Sequence, residues 1–368
     1  AYKTGASFFI LSRTLGATAR LYLVVNILQA AILDKFGVPF WATTLIILAM
    51  ILLYTFEGGV KTIVWTDTLQ TTCMLLGLII CVWYMLSSMH IGLGDAIGAM
   101  KAQGYSKVFF TNSDSKLFFL KQIIAGAFIT ITMTGMDQEM MQKNISVKTL
   151  KGAQKNMLTL SMILLGVIML FLFLGGLLYI YAAQNGVVAT GDKLFPTVAL
   201  EHMPHFIGII FIIALISALF PSADGAITAL TSSFCIDIIG MQRRTDITDV
   251  AKKKMRQGVH LFVAFVFFLF VMGFHWINNS SMIGVILKVA AYTYGPLLGL
   301  FTFGILTKRN VKGTWVPVIC LVAPVICFFI DKFQKQIFGN FEIGPELLVI
   351  NGILTFTGLM LISKKRIT

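Results

Sequence analysis

Residues Phe206–Ile238, FIGIIFIIALISALFPSADGAITALTSSFCIDI, form one apolar run of 33 residues whose only acids are Asp224 and Asp237. As an α-helix this run is about 50 Å long, whereas the hydrocarbon core of a bilayer is about 30 Å thick. We therefore predict a membrane-spanning helix that tilts steeply, breaks or extends into the cytoplasm. Pro221 and Gly225 near its middle can free backbone carbonyls, which then need a partner or a cavity.

The composition of the whole chain agrees with a membrane protein. Hydrophobic residues make up 57% of the 368 residues and charged residues 12%, whereas an average soluble domain is about 25% charged. This balance argues against a soluble enzyme, a nucleic-acid-binding protein and a disulfide-stabilised secreted domain. The apolar runs lack the alternation of barrel strands, so we predict an all-α integral membrane fold. The ten predicted spans are approximately Ser7–Leu33, Phe40–Phe56, Thr68–Met89, Leu117–Met136, Met157–Ala183, Phe206–Ile238, Val259–Ile277, Met282–Leu306, Thr314–Ile330 and Leu347–Ser363.

The distribution of basic residues predicts the orientation of the spans. The chain carries 29 Lys and Arg against 16 Asp and Glu, a net charge of +13. If the first span starts inside, the cytoplasmic connections hold about twice as many Lys and Arg as the outer ones, in line with the positive-inside rule. This charge is spread over several inner loops rather than over one face that could bind nucleic acid. We predict a multi-pass protein of the cell (inner) membrane, with the lipid bilayer and not nucleic acid as its partner.

The first residues of the chain and its cysteines limit the possible domain organisation and cofactors. The chain begins at Ala1 rather than at methionine and enters a predicted span almost at once. We expect an N-terminal portion to be missing, and we treat residues 1–368 as a single, N-terminally incomplete transmembrane domain. Five cysteines lie in apolar stretches without metal-ligand spacing, so we expect buried small side chains and no cofactor.

The middle of the long span combines a hydroxyl and a carboxylate at Ser222 and Asp224. Acids inside a membrane are costly and are usually functional. Oxygen ligands of this kind suit a hard cation, so the pair favours a sodium site. The alternative is a proline kink with a locally hydrogen-bonded aspartate.

Three segments resemble one protein family in their residues, order and spacing. They are Gly58–Gln70 (GGVKTIVWTDTLQ), Gly135–Lys143 (GMDQEMMQK) and Ser233–Ile238 (SFCIDI), with a further match at Tyr294–Pro296. The segments are similar to motifs of the sodium:solute symporters, which include sodium–glucose and sodium–proline transporters.

The resemblance implies a LeuT-type fold, in which two inverted repeats of five helices form the transport path. About ten transmembrane helices are present, and the first two core helices are missing. The implied activity is sodium-coupled symport of a small organic solute (a sugar, a sugar acid or an organic acid) by alternating access. No cofactor is implied beyond Na⁺ as the coupling ion. The rival interpretations are a membrane-embedded sensor or an enzyme that retains the transporter fold.

The resemblance also implies sodium ligands in the long span and in the third span. With the end of the long span aligned, Ala218 supplies a backbone carbonyl and Ser222 a hydroxyl to the main sodium site. Asp224 falls at a hydroxyl position of a second site, and Asp67 matches an acid that the family links to sodium coupling. The resemblance therefore permits a site in which Asp67 and Asp224 surround one cation.

Two alternatives stay open for these residues. A slip of four residues, about one helical turn, selects Ala214, Ser217 and Ala218 instead. Asp67 at the start of a helix is also suited to capping, because the free N–H groups and the positive end of the helix dipole stabilise an acid there.

The implied substrate residues lie in the fourth and eighth spans. Thr130 matches a sugar-contacting position and shares a helical face with Thr134, whereas Met133 stands where an aromatic gate is common. Lys288 matches a polar substrate ligand, and the neighbouring stretches of its span contain no acid, which predicts pairing with an anionic solute. The alternatives are threonines bonded to their own helix backbone and a lysine that extends to the membrane interface.

The resemblance assigns gating or structural roles to Gly58 and Gly59 before the third span, and to Asp137 and Gln138 after the fourth. For the latter two, a solvated or capping cluster is the alternative to a gating network.

Arg13 and Arg20 are seven residues apart in the first span and therefore share a helical face. We expect them to contact lipid head groups or helices that are missing from the chain. The sequence contains no nucleophile–base set and no phosphate-binding loop, which argues against an enzyme.

Overall fold

The computed structural model of the chain describes residues 2–55, 60–244, 246–277 and 282–365. These ranges fold almost entirely into α-helices, apart from one two-stranded ribbon and short turns. The helices are α1 (Tyr2–Ala31), α2 (Phe40–Thr55), α3 (Val60–Ser88), α4 (Leu93–Ala102), α5 (Phe119–Met133), α6 (Gln138–Ile145), α7 (Leu150–Gln184), α8 (Leu194–Glu201), α9 (His205–Ser233), α10 (Asp249–Ile277), α11 (Met282–Leu306), α12 (Val316–Lys332), α13 (Gln334–Phe338) and α14 (Leu347–Leu361). Strand β1 (Arg309–Val311) pairs antiparallel with β2 (Ser363–Lys365).

Each of the ten predicted spans coincides with a helix, which confirms the all-α integral membrane class. Judged on the described residues, six helices are long and apolar enough to cross a bilayer, or seven if the bent pair of α5 and α6 is one span. The helices α2 and α14 are also apolar, but they have only 16 and 15 residues, about 24 Å. Large apolar side chains such as Leu158, Leu172 and Phe262 are exposed on the outside of the bundle, as contact with lipid requires.

Helix α9 lies at the centre of the buried core. Helices α1, α2, α9 and α10 pack together around Leu21, Ile51, Ile227 and Phe267, each at most 1% exposed. A second cluster joins the start of α9 to α3, α4, α7 and α8. Because α9 belongs to both clusters, any residue near its middle is held by packing on several sides.

Helix α9 continues through Pro221 and ends in a π-helical turn at Phe234–Ile238. The combined helix has 34 residues, about 51 Å, and therefore extends beyond the hydrocarbon core. The sequence predicted that this span tilts steeply, breaks or extends into the cytoplasm; in the structure the helix does not break. Proline has no N–H, so the carbonyl of Ser217 one turn earlier loses its helical donor.

Helices α11 and α14 cross closely at a glycine. A Cβ atom on Gly295 would overlap the side chain of Asn351, so only glycine allows this approach. Pro296 lacks the N–H that would bond the carbonyl of Tyr292. Asn351 Nδ2 donates instead to the carbonyl oxygens of Tyr292 and Ala291, each at 3.0 Å. A side chain of α14 thus completes the hydrogen bonding of α11.

Candidate functional site

A sharp bend between α5 and α6 opens the helical backbone inside the bundle. The two helices meet at 70°. A Cβ atom on Gly135 would lie 2.7 Å from the carbonyl oxygen of Ile131, so glycine is required at this turn. Asp137 caps α6 by accepting hydrogen bonds from the backbone N–H groups of Glu139 (2.9 Å) and Met140 (3.2 Å). Asp137 therefore makes the predicted cap, but at 2% exposure it is buried rather than solvated.

Five charged side chains of alternating sign meet beside this bend. Arg13 of α1 contacts Asp137 at 3.3 Å and Glu139 at 2.7 Å. Lys143 of α6 contacts Glu139 on the same helix and Asp67 on α3, each at 2.8 Å. The side chains are 2–27% exposed, and we call these five residues the charge network. The prediction that Arg13 contacts lipid or missing helices is wrong, because its partners are acids within the described bundle.

The charge network packs against the middle of α9. A Cβ atom on Gly225 would overlap the Glu139 carboxylate, so glycine makes room for this acid. Further along, Gln142 Nε2 donates to Ser232 Oγ at 3.3 Å. Helix α6 therefore follows α9 from Gly225 towards the C-terminal end of α9.

Asp67 and Asp224 lie at the same depth in the bundle. Helices α3 and α9 run antiparallel and touch at Gly77 and Ala214, where a Cβ atom on Gly77 would be 2.5 Å from that of Ala214. Asp67 precedes Gly77 by ten residues and Asp224 follows Ala214 by ten, which is about 15 Å along each helix. Asp67 lies within α3 and pairs with Lys143, so it is not the predicted N-cap.

Several oxygen atoms near this level have no hydrogen-bond partner within the described ranges. They are Oδ1 of Asp67, Oε1 of Gln70, Oγ of Ser222 and Oγ1 of Thr228, all buried. Asp224 is also fully buried, and its Oδ1 accepts the Gly225 N–H at 2.5 Å. Such buried unpaired oxygens are costly unless a ligand, an ion or water satisfies them.

Ala218 lies one turn from Ser222 on α9 and lines a cavity of about 230 Å³ between α3, α7, α8 and α9. Ala214 lines the same cavity. Ser217, the third residue of the alternative alignment, is 9% exposed, and its carbonyl is the one that Pro221 leaves without a helical donor. The proline thus removes the helical donor of a carbonyl oxygen five residues before Ser222.

Arg20 is a membrane-embedded cation without a counter-ion in the part of the chain that the structure describes. It lies 18 residues into α1, about two turns beyond Arg13, and its Nε is buried without a hydrogen-bond partner. The charges of Arg13, Asp137 and Glu139 act on it, which places it beside the charge network. A charge in a span is expensive without a partner.

The three predicted substrate residues have different surroundings in the structure. Thr130 Oγ1 donates to the backbone carbonyl of Gly126 at 2.9 Å. This is the bond to its own helix that was predicted as the alternative to contact with a solute. Thr134 follows the last residue of α5, at the bend. Lys288 forms an ion pair with Asp331 of α12 at 2.8 Å, and its side chain is 62% exposed. The premise that Lys288 lacks an acidic partner is therefore wrong.

The structure describes some of the predicted gating residues and not others. Gly58 and Gly59 lie outside the described residues. Gln138 is the first residue of α6 and lines a cavity of about 550 Å³ near the C-terminal end of α9, together with Ser233 and Asp237. Across the described ranges, no group of three or more His, Cys, Asp and Glu side chains could hold a metal ion.

The bent pair of α5 and α6 and the nearby buried polar oxygens are features that secondary transporters of the inverted-repeat class also have. The sequence model of the sodium:solute symporter family matches residues 9–319, and the chain belongs to this family. The resemblance noted in the sequence is thereby confirmed.

Individual relatives and a solved structure agree with this assignment. The sodium/sialic acid symporter SiaT of Proteus mirabilis (strain HI4320) is 21% identical over 368 residues, covering 95% of this chain and 71% of that protein. The sodium-coupled monocarboxylate transporter 2 of Danio rerio is 27% identical over 267 residues, covering 70% of this chain and 42% of that protein. A Na⁺-coupled sialic acid symporter in a substrate-bound outward-open state superimposes with a TM-score of 0.76 at 16% identity, covering 98% of this chain and 75% of that one. The LeuT-type fold is confirmed.

Proposed function

We propose that this protein is a sodium-coupled symporter of the cell (inner) membrane that carries a small organic anion by alternating access. Family membership and the names of the relatives support sodium coupling. The anionic character of the solute rests on a single observation: Arg20 is a partly buried cation whose Nε has no hydrogen-bond partner and which forms no ion pair among the described residues.

Sodium binds in this proposal between α3 and α9. Within the described ranges, Ser222 Oγ and Asp67 Oδ1 are buried oxygens without hydrogen-bond partners, and oxygen atoms are the ligands of a hard cation. Asp224 at the same depth adds a carboxylate, and a backbone carbonyl near Ala218 completes the set. The charge network itself holds three carboxylates and two basic groups, so one bound Na⁺ balances its charge.

The solute binds beside Arg20. A guanidinium pairs well with a carboxylate, often through two parallel hydrogen bonds. Sialic acid and monocarboxylates, which appear in the names of the relatives, both carry a carboxylate. Lys288 is less suited to this role because Asp331 already neutralises it. We therefore assign the carboxylate of a sugar acid or an organic acid to Arg20.

Coupling follows from the position of these groups around the bend between α5 and α6. A ligand shifts a conformational equilibrium only by its differential affinity for the two states. Na⁺ at α3 and α9 favours the arrangement that accepts the solute, and joint occupancy permits the change to the inward-open state. The free-energy coupling between the two ligands is reciprocal, so the solute also tightens sodium binding.

The test is uptake by the full-length protein in proteoliposomes. Sialic acid, butyrate and neutral glucose are compared under an inward sodium gradient and under an equal potassium gradient. We expect sodium-dependent uptake of an anion, with a KM about 10- to 100-fold higher in Arg20→Gln, because a hydrogen bond to a charged group contributes about 1.5–3 kcal/mol. Arg20→Lys should retain part of the affinity, and Lys148→Gln, which changes an exposed lysine, should be unaffected.

Two results would overturn the proposal. Equal uptake in sodium and potassium would remove the coupling ion. An unchanged KM for the anion in Arg20→Gln, or transport of glucose alone, would remove the anionic solute.

A further inference from the structure

The β-ribbon brings together basic residues that are far apart in sequence. In β1 and β2, Arg309 is the Cα partner of Lys365, and Asn310 is the partner of Lys364. Lys308 and Lys312 flank β1 on either side. Neighbouring strands are about 4.8 Å apart, so these residues share one small area.

The ribbon presents lysines on its outer face and is anchored through its inner face. Val311 packs against a buried cluster that includes Phe303 and Leu359, and its Cα partner Ser363 is only 9% exposed. Because strand side chains alternate, the paired residues Asn310 and Lys364 lie on the opposite face. Lys364 is exposed, and so are Lys308 and Lys312 on either side of β1. The lysines therefore lie within or directly beside a paired β-ribbon that is packed against the helices.

No acidic side chain pairs with this positive charge among the residues that the structure describes. Residues 307–315 and 362–368 contain no Asp or Glu. Among the ion pairs of the described residues, none includes Lys308, Arg309, Lys312 or Lys364. Arg309 Nε is buried without a hydrogen-bond partner.

The ribbon also lies at the level of the lipid head groups. It follows directly on the last residues of α11 and α14, Leu306 and Leu361, whose side chains are 71% and 87% exposed. Trp315, where the chain enters α12, is 55% exposed, and tryptophan is enriched at the membrane interface. The basic-residue distribution places this end of the bundle on the cytoplasmic side.

We propose that the ribbon is a binding site for the phosphate of an anionic phospholipid in the cytoplasmic leaflet. Lys308, Lys312 and Lys364 face the phosphate and glycerol oxygens, and the acyl chains lie along the exposed ends of α11 and α14. The lipid supplies the counter-charge that the protein lacks. Juxtamembrane basic clusters are attracted to anionic lipids by about 1 kcal/mol per lysine, which is about fivefold in affinity.

The experiment uses the full-length protein in a neutral detergent and its apparent melting temperature. Short-chain phosphatidylglycerol, short-chain phosphatidylcholine and inorganic phosphate are titrated separately. We expect phosphatidylglycerol to raise the melting temperature, with little effect of the other two. The half-maximal concentration should rise about fivefold in Lys364→Gln and roughly a hundredfold in the triple variant of Lys308, Lys312 and Lys364 to glutamine.

A matched control removes the same number of charges elsewhere on the cytoplasmic side. The triple variant of Lys252, Lys253 and Lys254 to glutamine should keep the wild-type response, since Asp249 already pairs with Lys252 at 3.7 Å. Equal loss in both triple variants, or no response of the wild type, would overturn the proposal. The same shift with inorganic phosphate would assign the site to free phosphate and overturn the lipid assignment. If the ribbon triple variant does not fold, Lys364→Gln alone decides.

Discussion

Lys143→Met removes the ammonium group that joins two carboxylates of the charge network. Lys143 Nζ lies 2.8 Å from Asp67 Oδ2 and 2.8 Å from Glu139 Oε1, and its side chain is 27% exposed. Removal of one partner of a buried ion pair destabilises a protein by about 3–5 kcal/mol, because the remaining charge stays buried. Since Lys143 keeps some solvent contact, we expect the lower end, a loss of about 3 kcal/mol in the free energy of unfolding.

The assay is thermal unfolding of the detergent-solubilised protein in sodium-free buffer. At about 2 °C per kcal/mol, Lys143→Met should melt about 6 °C below the wild type. Lys148→Met, which removes an exposed lysine five residues further on, should stay within about 1 °C. Asp67→Asn combined with Lys143→Met should be less destabilising than the sum of the single variants, because the two residues are in contact. Equal melting of Lys143→Met and Lys148→Met would refute this reasoning.

Three further outcomes are expected. Sodium chloride should stabilise the full-length protein more than potassium chloride, by about 2.7 kcal/mol at a hundred times the dissociation constant, and Ser222→Ala should weaken that difference; identical melting curves in both salts would exclude the sodium site. Asn351→Ala should destabilise by about 1–3 kcal/mol because it leaves the Tyr292 carbonyl, which Pro296 deprives of its helical donor, without a partner, measured against the exposed control Asn310→Ala; equal melting temperatures would show that water replaces the amide. Lys288→Gln should leave the KM for the solute within about twofold, since Asp331 already neutralises Lys288, and a tenfold rise would return Lys288 to the substrate site.

The helices could be predicted from the sequence because a membrane requires long apolar runs. Every predicted span coincides with a helix, and the long span Phe206–Ile238 matches α9 with its π-helical turn. The path of α9 at Pro221 could not be predicted, because whether a proline breaks a helix depends on the packing around it. In the fold, α9 is held on several sides by α1, α2, α3 and α10.

The candidate site could be predicted in its residue types but not in its pairings. The (i, i+4) pair of Glu139 and Lys143 is visible in the sequence, since such residues are neighbours on a helix. Their partners Arg13 and Asp67 lie in other helices, 126 and 76 residues away. Asp331, the partner of Lys288, likewise lies on another helix, so proximity in sequence does not indicate this pair. Distances between helices depend on their register, which glycine positions such as Gly77 and Gly225 determine.

Asn351 restricts how far α11 can bend relative to α14. A proline inside a helix normally creates a flexible joint, because one hydrogen bond is lost and the two halves can swing independently. Here the amide of Asn351 bridges that joint at 3.0 Å from two carbonyl oxygens. Bending α11 at Pro296 must therefore break bonds to α14. We expect the two helices to move together as one rigid body, with the hinges in the connections beyond their ends.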